Sequence, residues 1–270
     1  MEVKTNETEI NGIKIHYREY GDGEPLLLII GLSGNADWWG DEFLRPLAER
    51  FHVVAYDNRG AGRSGKPEGP YPIPLMASDA VGLMDHLGWE SAHILGASMG
   101  GMIAQEIALE YPERAKRLVL MCTNCGGQEQ VPASPETFAL LFIPREGLTP
   151  EDIVRASLPL LFPREYIERN PEKMQAIVNT ILIAPIPPRC FMWQIMGASL
   201  WSCHSRLVGL RHPTLIMTGT EDVLIPPENS RILADAIPNS RLVEIDGAGH
   251  GLQVMFPERM AEEVLAFLAG

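Results

Sequence analysis

The chain has 270 residues, of which 46% are apolar and 21% are charged, and its net charge is −13. This length suits one large domain, or one domain that carries an insertion. So acidic a surface repels nucleic-acid phosphates and anionic lipid headgroups, and neither a nucleic acid nor a membrane is expected as a partner. The sequence has no apolar stretch of membrane-spanning length and no signal-peptide pattern at its start, which favours a cytoplasmic protein.

The first predicted elements form a hairpin over residues 8–19, because Asn11-Gly12 joins two alternating segments and this pair is typical of a type I′ turn. Residues 26–30 form a continuous apolar run, which is typical of a strand buried on both faces. Further strands are predicted at 52–56, 92–95, 117–121, 214–218 and 241–245, and helices near 40–50 and at 78–87, 99–110, 228–236 and 257–268. Strands alternating with helices indicate an α/β fold, with a mostly parallel sheet and helices on both faces.

Residues 124–211 contain helical segments, many prolines and large apolar side chains, but no convincing strand. Because a structureless loop of this length is improbable, we expect a helical cap inserted into a core formed by residues 1–123 and 212–270. Most of the large side chains in the cap are expected to hold its helices together. Met192, Trp193 and Met196 are candidates for an apolar substrate pocket, since methionine and tryptophan suit an adaptable acyl site.

Four cysteines stand at positions 122, 125, 190 and 203. In a reducing compartment they are expected to be free thiols. Cys122 and Cys125 have C-x-x-C spacing, but a structural zinc site needs a second pair at similar spacing, which Cys190 and Cys203 do not supply. The sequence therefore predicts no metal and no other cofactor, with the cysteines acting as small buried apolar residues.

The pentapeptide Gly96-Ala97-Ser98-Met99-Gly100 has the pattern G-x-S-x-G. A predicted strand ends just before it and a predicted helix begins at Met99, which is the context that a nucleophilic serine on a sharp turn requires. The flanking glycines allow close approach of the backbone in so tight a turn. The free N–H groups and the dipole at the start of the helix favour negative charge beside the serine oxygen. Ser98 is therefore the predicted nucleophile.

A serine nucleophile needs a base within hydrogen-bond reach, and the base needs a carboxylate that orients it. His250 lies in the glycine-rich segment 247–251 after one predicted strand, and Asp222 follows another. All three candidates then lie at carboxyl ends of parallel strands, where open α/β sheets place their sites. Glu221 is the alternative acid, although the pattern G-x-x-D-x-x-x-P ending at Pro226 favours Asp222.

With these residues considered together, the chain resembles the α/β-hydrolase family over nearly its whole length. The matching stretches are 28–35, 56–64, 96–101, 219–226 and 247–251. Within the family the chain is most similar to small carboxylesterases, to lactonases such as the 3-oxoadipate enol-lactonases, and to cofactor-free haloperoxidases. The resemblance implies a catalytic triad of Ser98, Asp222 and His250.

The resemblance also implies an oxyanion hole formed by the backbone N–H groups of Leu32 and Met99. Many relatives begin the loop that carries the first donor with His-Gly, whereas this chain has Ile30-Gly31. The change removes a polar side chain and leaves the backbone donor available. The implied activity is hydrolysis of carboxylic esters through an acyl-enzyme, with a small-molecule ester or lactone as the partner. The apolar side chains of the cap favour acyl chains of short to medium length.

Two other functions stay open. The same triad could cleave a lactone (an enol-lactone or an acyl-lactone) or a C–C bond, and Arg145, Arg189 and Arg206 in or near the cap could then hold a carboxylate. The simpler interpretation of these arginines is that they are solvated surface charges. A small-molecule receptor that keeps the triad without turnover is the remaining possibility.

Overall fold

The computed structural model describes residues 2–142 and 147–270, which are built around an eight-stranded sheet. Its strands are β1 (Lys4–Ile10), β2 (Ile13–Tyr20), β3 (Glu24–Ile29), β4 (Phe51–Tyr56), β5 (Ala92–Ala97), β6 (Ala115–Met121), β7 (Thr214–Gly219) and β8 (Ser240–Ile245). Their order across the sheet is β1-β2-β4-β3-β5-β6-β7-β8. Strands β3 to β8 pair in parallel, whereas β1 pairs with β2, and β2 with β4, in antiparallel fashion.

The antiparallel edge of the sheet is the predicted hairpin. Asn11 and Gly12 join β1 to β2 with φ angles of 50° and 73°, both in the left-handed region that a type I′ turn requires. Ile10 pairs with Ile13 directly across this turn. The turn sequence therefore fixes the register of the hairpin.

In the described ranges, eleven α-helices surround the sheet and connect its strands. They are α1 (Asp41–Ala48), α2 (Ile73–His86), α3 (Met99–Glu110), α4 (Pro135–Ala139), α5 (Pro150–Ser157), α6 (Arg164–Arg169), α7 (Pro171–Ile183), α8 (Pro188–Ser199), α9 (Glu228–Ala236), α10 (Leu252–Met255) and α11 (Pro257–Leu268). Helix α2 begins five residues before the predicted position at 78. Pro74 lies in its first turn, where a missing N–H costs no intrahelical hydrogen bond.

Successive residues of β3 show how the helices cover both faces of the sheet. Leu27 and Ile29 belong to the apolar core shared with α2, α3 and α9, whereas Leu26 and Leu28 belong to the core shared with α1 and α11. Because side chains alternate along a strand, a strand covered on both faces must be apolar at every position. The predicted fold class, an α/β sheet that is mostly parallel with helices on both faces, is confirmed.

The segment between β6 and β7 supplies helices α4 to α8. The described part of this segment contains no strand, and its two ends meet at an isolated β-bridge between Gly126 and Ser202. A backbone hydrogen bond of 2.9 Å from Cys203 N–H to Cys125 O lies beside this bridge. These contacts agree with an insertion that leaves and re-enters the core at neighbouring points, although the boundaries at 124 and 211 stay a prediction.

Helices α7 and α8 are the most apolar pair in that segment. Together they are long and apolar enough to span a membrane, but they are bent by 98° at their junction. No single helix in the described ranges is long and apolar enough to span a membrane by itself. Helix α8 packs on the core instead. A Cβ atom at Gly197 would collide with the backbone of Tyr71, and Tyr71 N–H donates to Trp193 O at 3.4 Å.

Candidate active site

Ser98 occupies the turn between β5 and α3. Its backbone has φ 56° and ψ −124°, a left-handed conformation that is costly for a residue with a side chain. Neighbouring strands hold this turn, because Ser98 N–H donates to Met121 O at 2.8 Å and Thr123 Oγ1 donates to Ser98 O at 2.7 Å. The serine is therefore held by β6 as well as by its own helix, as a rigid nucleophile requires.

Glycines allow the backbone segments around Ser98 to approach one another closely. A Cβ atom at Gly96 would collide with Gly100 O, and one at Gly100 would collide with Ile29 O. These collisions involve main-chain atoms that cannot move aside. The glycines predicted from the motif are thus required by the packing of α3 against β5 and β3.

Asp222 and His250 are joined by a hydrogen bond of 2.8 Å between Asp222 Oδ2 and His250 Nδ1. The other carboxylate oxygen, Oδ1, accepts the backbone N–H groups of Leu224 and Ile225, each at 2.9 Å. The Asp222 side chain is fully buried and that of His250 is nearly so. An ionised carboxylate with these three donors fixes the Nδ1–H tautomer of the imidazole, which leaves Nε2 free to act as a base.

Glu221, the alternative acid, is exposed, and its backbone N–H donates to Ala248 O at 2.8 Å. It is Asp222 that bonds to the histidine. Ser98 and His250 line the same cavity, at the carboxyl edge of the sheet. Within residues 2–142 and 147–270, no hydrogen bond joins Ser98 Oγ to the His250 ring, and such bonds often shorten only when substrate is bound.

The Cys122 thiol lies beside the acid, and potential ligand atoms of Cys122, Asp222 and His250 are all within 4.8 Å of one another. Burial, followed by the Asp222 carboxylate, raises the pKa of this thiol well above its ordinary value. A protonated thiol is a poor metal ligand and a weak nucleophile. Cys125 instead adjoins Cys203, so the two cysteines of the C-x-x-C sequence have different neighbours and do not share one site.

The loop after β3 passes directly over Ser98. A Cβ atom at Gly31 would lie 2.7 Å from Ser98 Cβ and 3.2 Å from Ser98 Oγ. The chain therefore needs glycine at position 31. Leu32 follows within this loop and Met99 follows Ser98, so both proposed oxyanion donors belong to segments adjacent to Ser98.

Two residues that the sequence did not single out hold this loop. Asn58 Nδ2 donates to Ile30 O at 2.9 Å, and the Gln194 side chain accepts from Ser33 N–H at 2.9 Å. Asn58 lies in the stretch 56–64 that resembles the α/β-hydrolase family, so the sequence offered a signal that this residue belongs to the site. Gln194 lies in helix α8, far away in sequence, and no motif marks it.

A cavity of about 690 Å³ opens from Ser98 and His250. Its apolar lining includes Ile30, Leu32, Trp38, Met121, Leu140, Leu141, Ile153, Val154, Leu160, Leu161, Phe162, Ile177, Ile181, Ile186, Phe191 and Val254. Most of these side chains come from the segment between β6 and β7. The cavity is large enough for a drug-sized ligand, and its lining is mainly apolar, as in small-molecule sites generally.

The structure corrects the sequence-based assignment of the pocket to Met192, Trp193 and Met196. Met192 and Met196 are each 46% exposed, and Trp193 packs edge-on against Tyr71 with ring centroids 5.4 Å apart. All three are described residues, and none of them lines the cavity. Phe191 does line it, because the face of α8 that meets the cavity carries this residue and not its neighbours.

Arg189 and Arg206, the two candidate arginines that the structure describes, give no carboxylate-binding site at the cavity. Arg206 pairs with Glu106 and Glu110, and Arg189 lies over the Trp193 ring with its guanidinium 3.7 Å from Glu68. Arg145 lies outside the described residues. No arginine of the described ranges lines the cavity.

A family model described as the alpha/beta hydrolase fold matches residues 24–257. The chain belongs to this family. It is therefore a hydrolase by family, and the matched segment includes Ser98, Asp222 and His250.

Two curated relatives differ in the reaction that they are named for. A putative carbamate hydrolase RutD from Azorhizobium caulinodans is 31% identical over 254 residues, which cover 94% of each chain. A poly(3-hydroxyalkanoate) depolymerase from Ectopseudomonas oleovorans is 32% identical over 244 residues, covering 90% of this chain and 84% of the relative.

Solved structures of similar proteins include an enol-lactonase from Burkholderia xenovorans LB400, with a TM-score of 0.87 and 26% identity, covering 98% of this chain and 100% of the other. Est816, described as an N-acyl homoserine lactone degrading enzyme, has a TM-score of 0.83 and 29% identity, covering 97% of this chain and 100% of the other. These neighbours share the fold over their full length and differ in substrate, so the substrate must be argued from this chain's own cavity.

Proposed function

We propose that this hydrolase cleaves neutral carboxylic esters of short-to-medium acyl chain through an acyl-enzyme, with Ser98 as nucleophile, His250 as base and Asp222 as the orienting acid. The observation that carries the proposal is the Asp222–His250 hydrogen bond at the edge of the same apolar cavity that Ser98 lines. A strained serine, a histidine of fixed tautomer and a buried carboxylate form the arrangement needed for nucleophilic catalysis by serine.

In the proposed mechanism, Ser98 Oγ attacks the ester carbonyl carbon while His250 Nε2 takes the hydroxyl proton. The tetrahedral oxyanion is stabilised by the backbone N–H groups of Leu32 and Met99, and this oxyanion hole contributes about 2–4 kcal/mol of transition-state stabilisation. His250 returns the proton to the alkoxide, which leaves as the alcohol, and the acyl group stays on Ser98. Water activated by His250 then attacks the acyl-enzyme, releasing the carboxylic acid and regenerating the serine.

The charges around the cavity favour a neutral substrate. Lys173 is the cation among the described lining residues, and its ammonium group lies 3.7 Å from Glu42, which also lines the cavity. Asp41 adds a further acidic group to the lining, whereas Asp37, which also lines the cavity, is paired with Arg18 and Arg63. A substrate carboxylate would lose its hydration in this cavity and find no unpaired cation there in exchange, so anionic esters and lactones should bind poorly.

A neutral lactone is the second candidate, and the full-length similarity to Est816 favours it. An acyl lactone without a charge presents the same carbonyl to Ser98 and an apolar tail to the cavity. The carbamate named for the first relative is an acyl compound of the same kind, but a small polar carbamate would leave most of a 690 Å³ apolar cavity unfilled.

The test is a panel of p-nitrophenyl esters from acetate to octanoate, with hexanoyl homoserine lactone and the mono-p-nitrophenyl ester of adipic acid. The adipate ester matches the hexanoate in length and differs by a terminal carboxylate. We expect kcat/KM to rise by up to about fourfold per methylene until the cavity is filled. The hexanoate should exceed the adipate ester by at least about tenfold, the cost of burying an unpaired charge.

Two controls separate this proposal from its alternatives. Ser98→Ala should lose about six orders of magnitude in turnover, and EDTA should leave the parent enzyme unchanged. Preference for the adipate ester would contradict the neutral-substrate proposal. Turnover that survives in Ser98→Ala, or a stoichiometric reaction without multiple turnover, would contradict the acyl-enzyme mechanism.

A further inference from the structure

Gln194 is fully buried, and both the oxygen and the nitrogen of its side-chain amide form hydrogen bonds with backbone groups of the core. Its Oε1 accepts the N–H of Ser33 at 2.9 Å, and its Nε2 donates to Arg59 O at 3.0 Å. Ser33 lies in the loop after β3 and Arg59 in the loop after β4, whereas Gln194 lies in helix α8. One side chain of the inserted segment therefore links two loops at the carboxyl edge of the sheet.

Several side chains attach the loop after β3, including Asn35, whose Nδ2 donates to Ala184 O of the inserted segment at 3.3 Å. Asn58 Nδ2 holds Ile30 O at its start, and Asp57 Oδ1 accepts Ala36 N–H at 2.7 Å near its end. Both of these come from the core. The middle of the loop, at Ser33, is held by Gln194, and among the described residues this is the hydrogen bond that the Ser33 N–H makes.

Ser33 itself has φ 59°, a left-handed conformation that a serine adopts only when its surroundings impose it. Its Oγ donates to Leu32 O at 2.7 Å, so the Ser33 side chain and the Leu32 carbonyl move together. The peptide N–H of Leu32 is the next amide back along the chain. A shift of Ser33 out of this conformation would rotate the amide that the proposed mechanism uses.

We infer that Gln194 is a positioning residue that sets the Leu32 N–H of the oxyanion hole, by holding the Ser33 peptide from helix α8. This inference rests on the proposed function, since it assigns a role to the same oxyanion. It means that the position of an inserted helix controls one of the two proposed oxyanion donors. An oxyanion donor must lie within about 2.7–3.1 Å of the developing charge, so a small displacement of the loop weakens it.

The competing explanation is that Gln194 only satisfies two buried backbone groups, in which case its loss lowers stability and leaves each folded molecule fully active. Asn229 provides a matched control. It is also a buried amide, it accepts Val131 N–H at 2.9 Å and donates to Val131 O at 2.8 Å, and it too ties the inserted segment to the core. Its Nδ2 also donates to Pro226 O at 3.0 Å, and none of its three side-chain contacts involves the loop after β3.

The experiment compares Gln194→Met with Asn229→Leu, using p-nitrophenyl butyrate turnover, the dissociation constant of butylboronic acid and the thermal midpoint. The boronate forms a tetrahedral adduct whose oxygen occupies the proposed oxyanion site. For Gln194→Met we expect kcat to fall by about 10- to 100-fold, less than the 10²–10³ for complete loss of a donor. KM should change by less than about threefold, and boronate affinity should weaken in parallel with kcat.

Asn229→Leu should lower the thermal midpoint and leave kcat within about twofold of the parent, because its loss does not reach the oxyanion site. If Gln194→Met lowers only the thermal midpoint, with kcat and boronate affinity unchanged, the inference is wrong while the proposed function stands. If the parent enzyme itself shows no Ser98-dependent turnover, the proposed function fails, and the inference fails with it.

Gln194→Glu tests the same contact in a variant that keeps the side-chain length. Burial raises the pKa of a carboxyl group placed there, and once protonated it can accept from Ser33 N–H and donate to Arg59 O as the amide does. The ratio of its kcat to that of the parent at the same pH should therefore rise as the pH falls from 8 to 6. A ratio that falls as the pH falls would overturn the inference, even if Gln194→Met fails to fold.

Discussion

Replacing Asp222 with asparagine tests the central hydrogen bond of the proposed site, and the structure dictates how the new amide must sit. The Oδ1 position accepts two backbone N–H groups, those of Leu224 and Ile225. An amide NH₂ placed there would face two donors, so the oxygen of the asparagine must remain at that position. The NH₂ group then faces His250 Nδ1, which must become an acceptor, and the imidazole proton moves to Nε2. The ring can no longer remove a proton from Ser98.

A wrong tautomer of the base costs about 10⁴ in kcat, which corresponds to about 5.5 kcal/mol of transition-state stabilisation. The assay is p-nitrophenyl butyrate hydrolysis by Asp222→Asn, with the thermal midpoint measured alongside to show that the variant folds. Glu221→Gln is the matched control, since Glu221 is adjacent in sequence but exposed, and it should keep turnover within about twofold. A damaging Glu221→Gln together with a mild Asp222→Asn would refute the assignment of the acid.

Two further predictions concern the cavity and a buried histidine. Phe191→Ala should enlarge the cavity and shift the best p-nitrophenyl ester to an acyl chain one or two carbons longer, whereas the exposed Met192→Ala should leave the chain-length profile unchanged; identical profiles would contradict the assigned lining. Burial lowers the pKa of His93 below its ordinary value of 6.5, with Glu24 opposing and Lys116 and Arg117 adding to the effect. The unfolded chain therefore binds a proton at this histidine more readily than the folded chain does. The contribution of neutral His93 to the free energy of unfolding is fully present above pH 6.5 and is lost as the pH falls below that value. His93→Leu should consequently show a smaller drop in thermal midpoint between pH 7.5 and 5.5 than the parent, and an equal drop would contradict this reasoning.

The parts of the site that could be predicted from sequence are those set by short-range rules. A buried strand, the G-x-S-x-G sequence and a helix in this order require a sharp turn at the serine. Ser98 could therefore be placed at a strained turn from the neighbouring sequence alone. Asp222 and His250 could be brought near it because parallel strands end at one edge of a sheet. The Asp222–His250 bond then follows from two loops on neighbouring strands, β7 and β8.

The lining of the cavity could not be predicted, because it depends on the rotation of a helix about its own axis. Successive residues on an α-helix are separated by 100°, so Phe191 can face the cavity while Met192 faces solvent. The sequence of α8 is apolar on several faces, and periodicity alone does not choose among them. Gln194 was missed for a related reason, since its partners are backbone groups about 135 and 161 residues away. No local pattern encodes such contacts.

The acidic surroundings of the cavity also bear on how a neutral ester would be turned over. Under the proposed mechanism an uncharged substrate enters an apolar site and a carboxylate is formed in it. That carboxylate has lost its hydration in a cavity whose lining also carries Asp41 and Glu42, with Lys173 already close to Glu42. The same charges that exclude anionic substrates therefore disfavour the bound acid product. The reaction therefore favours product release, because the chemical step converts a neutral ester, which suits the apolar cavity, into a carboxylate, which does not.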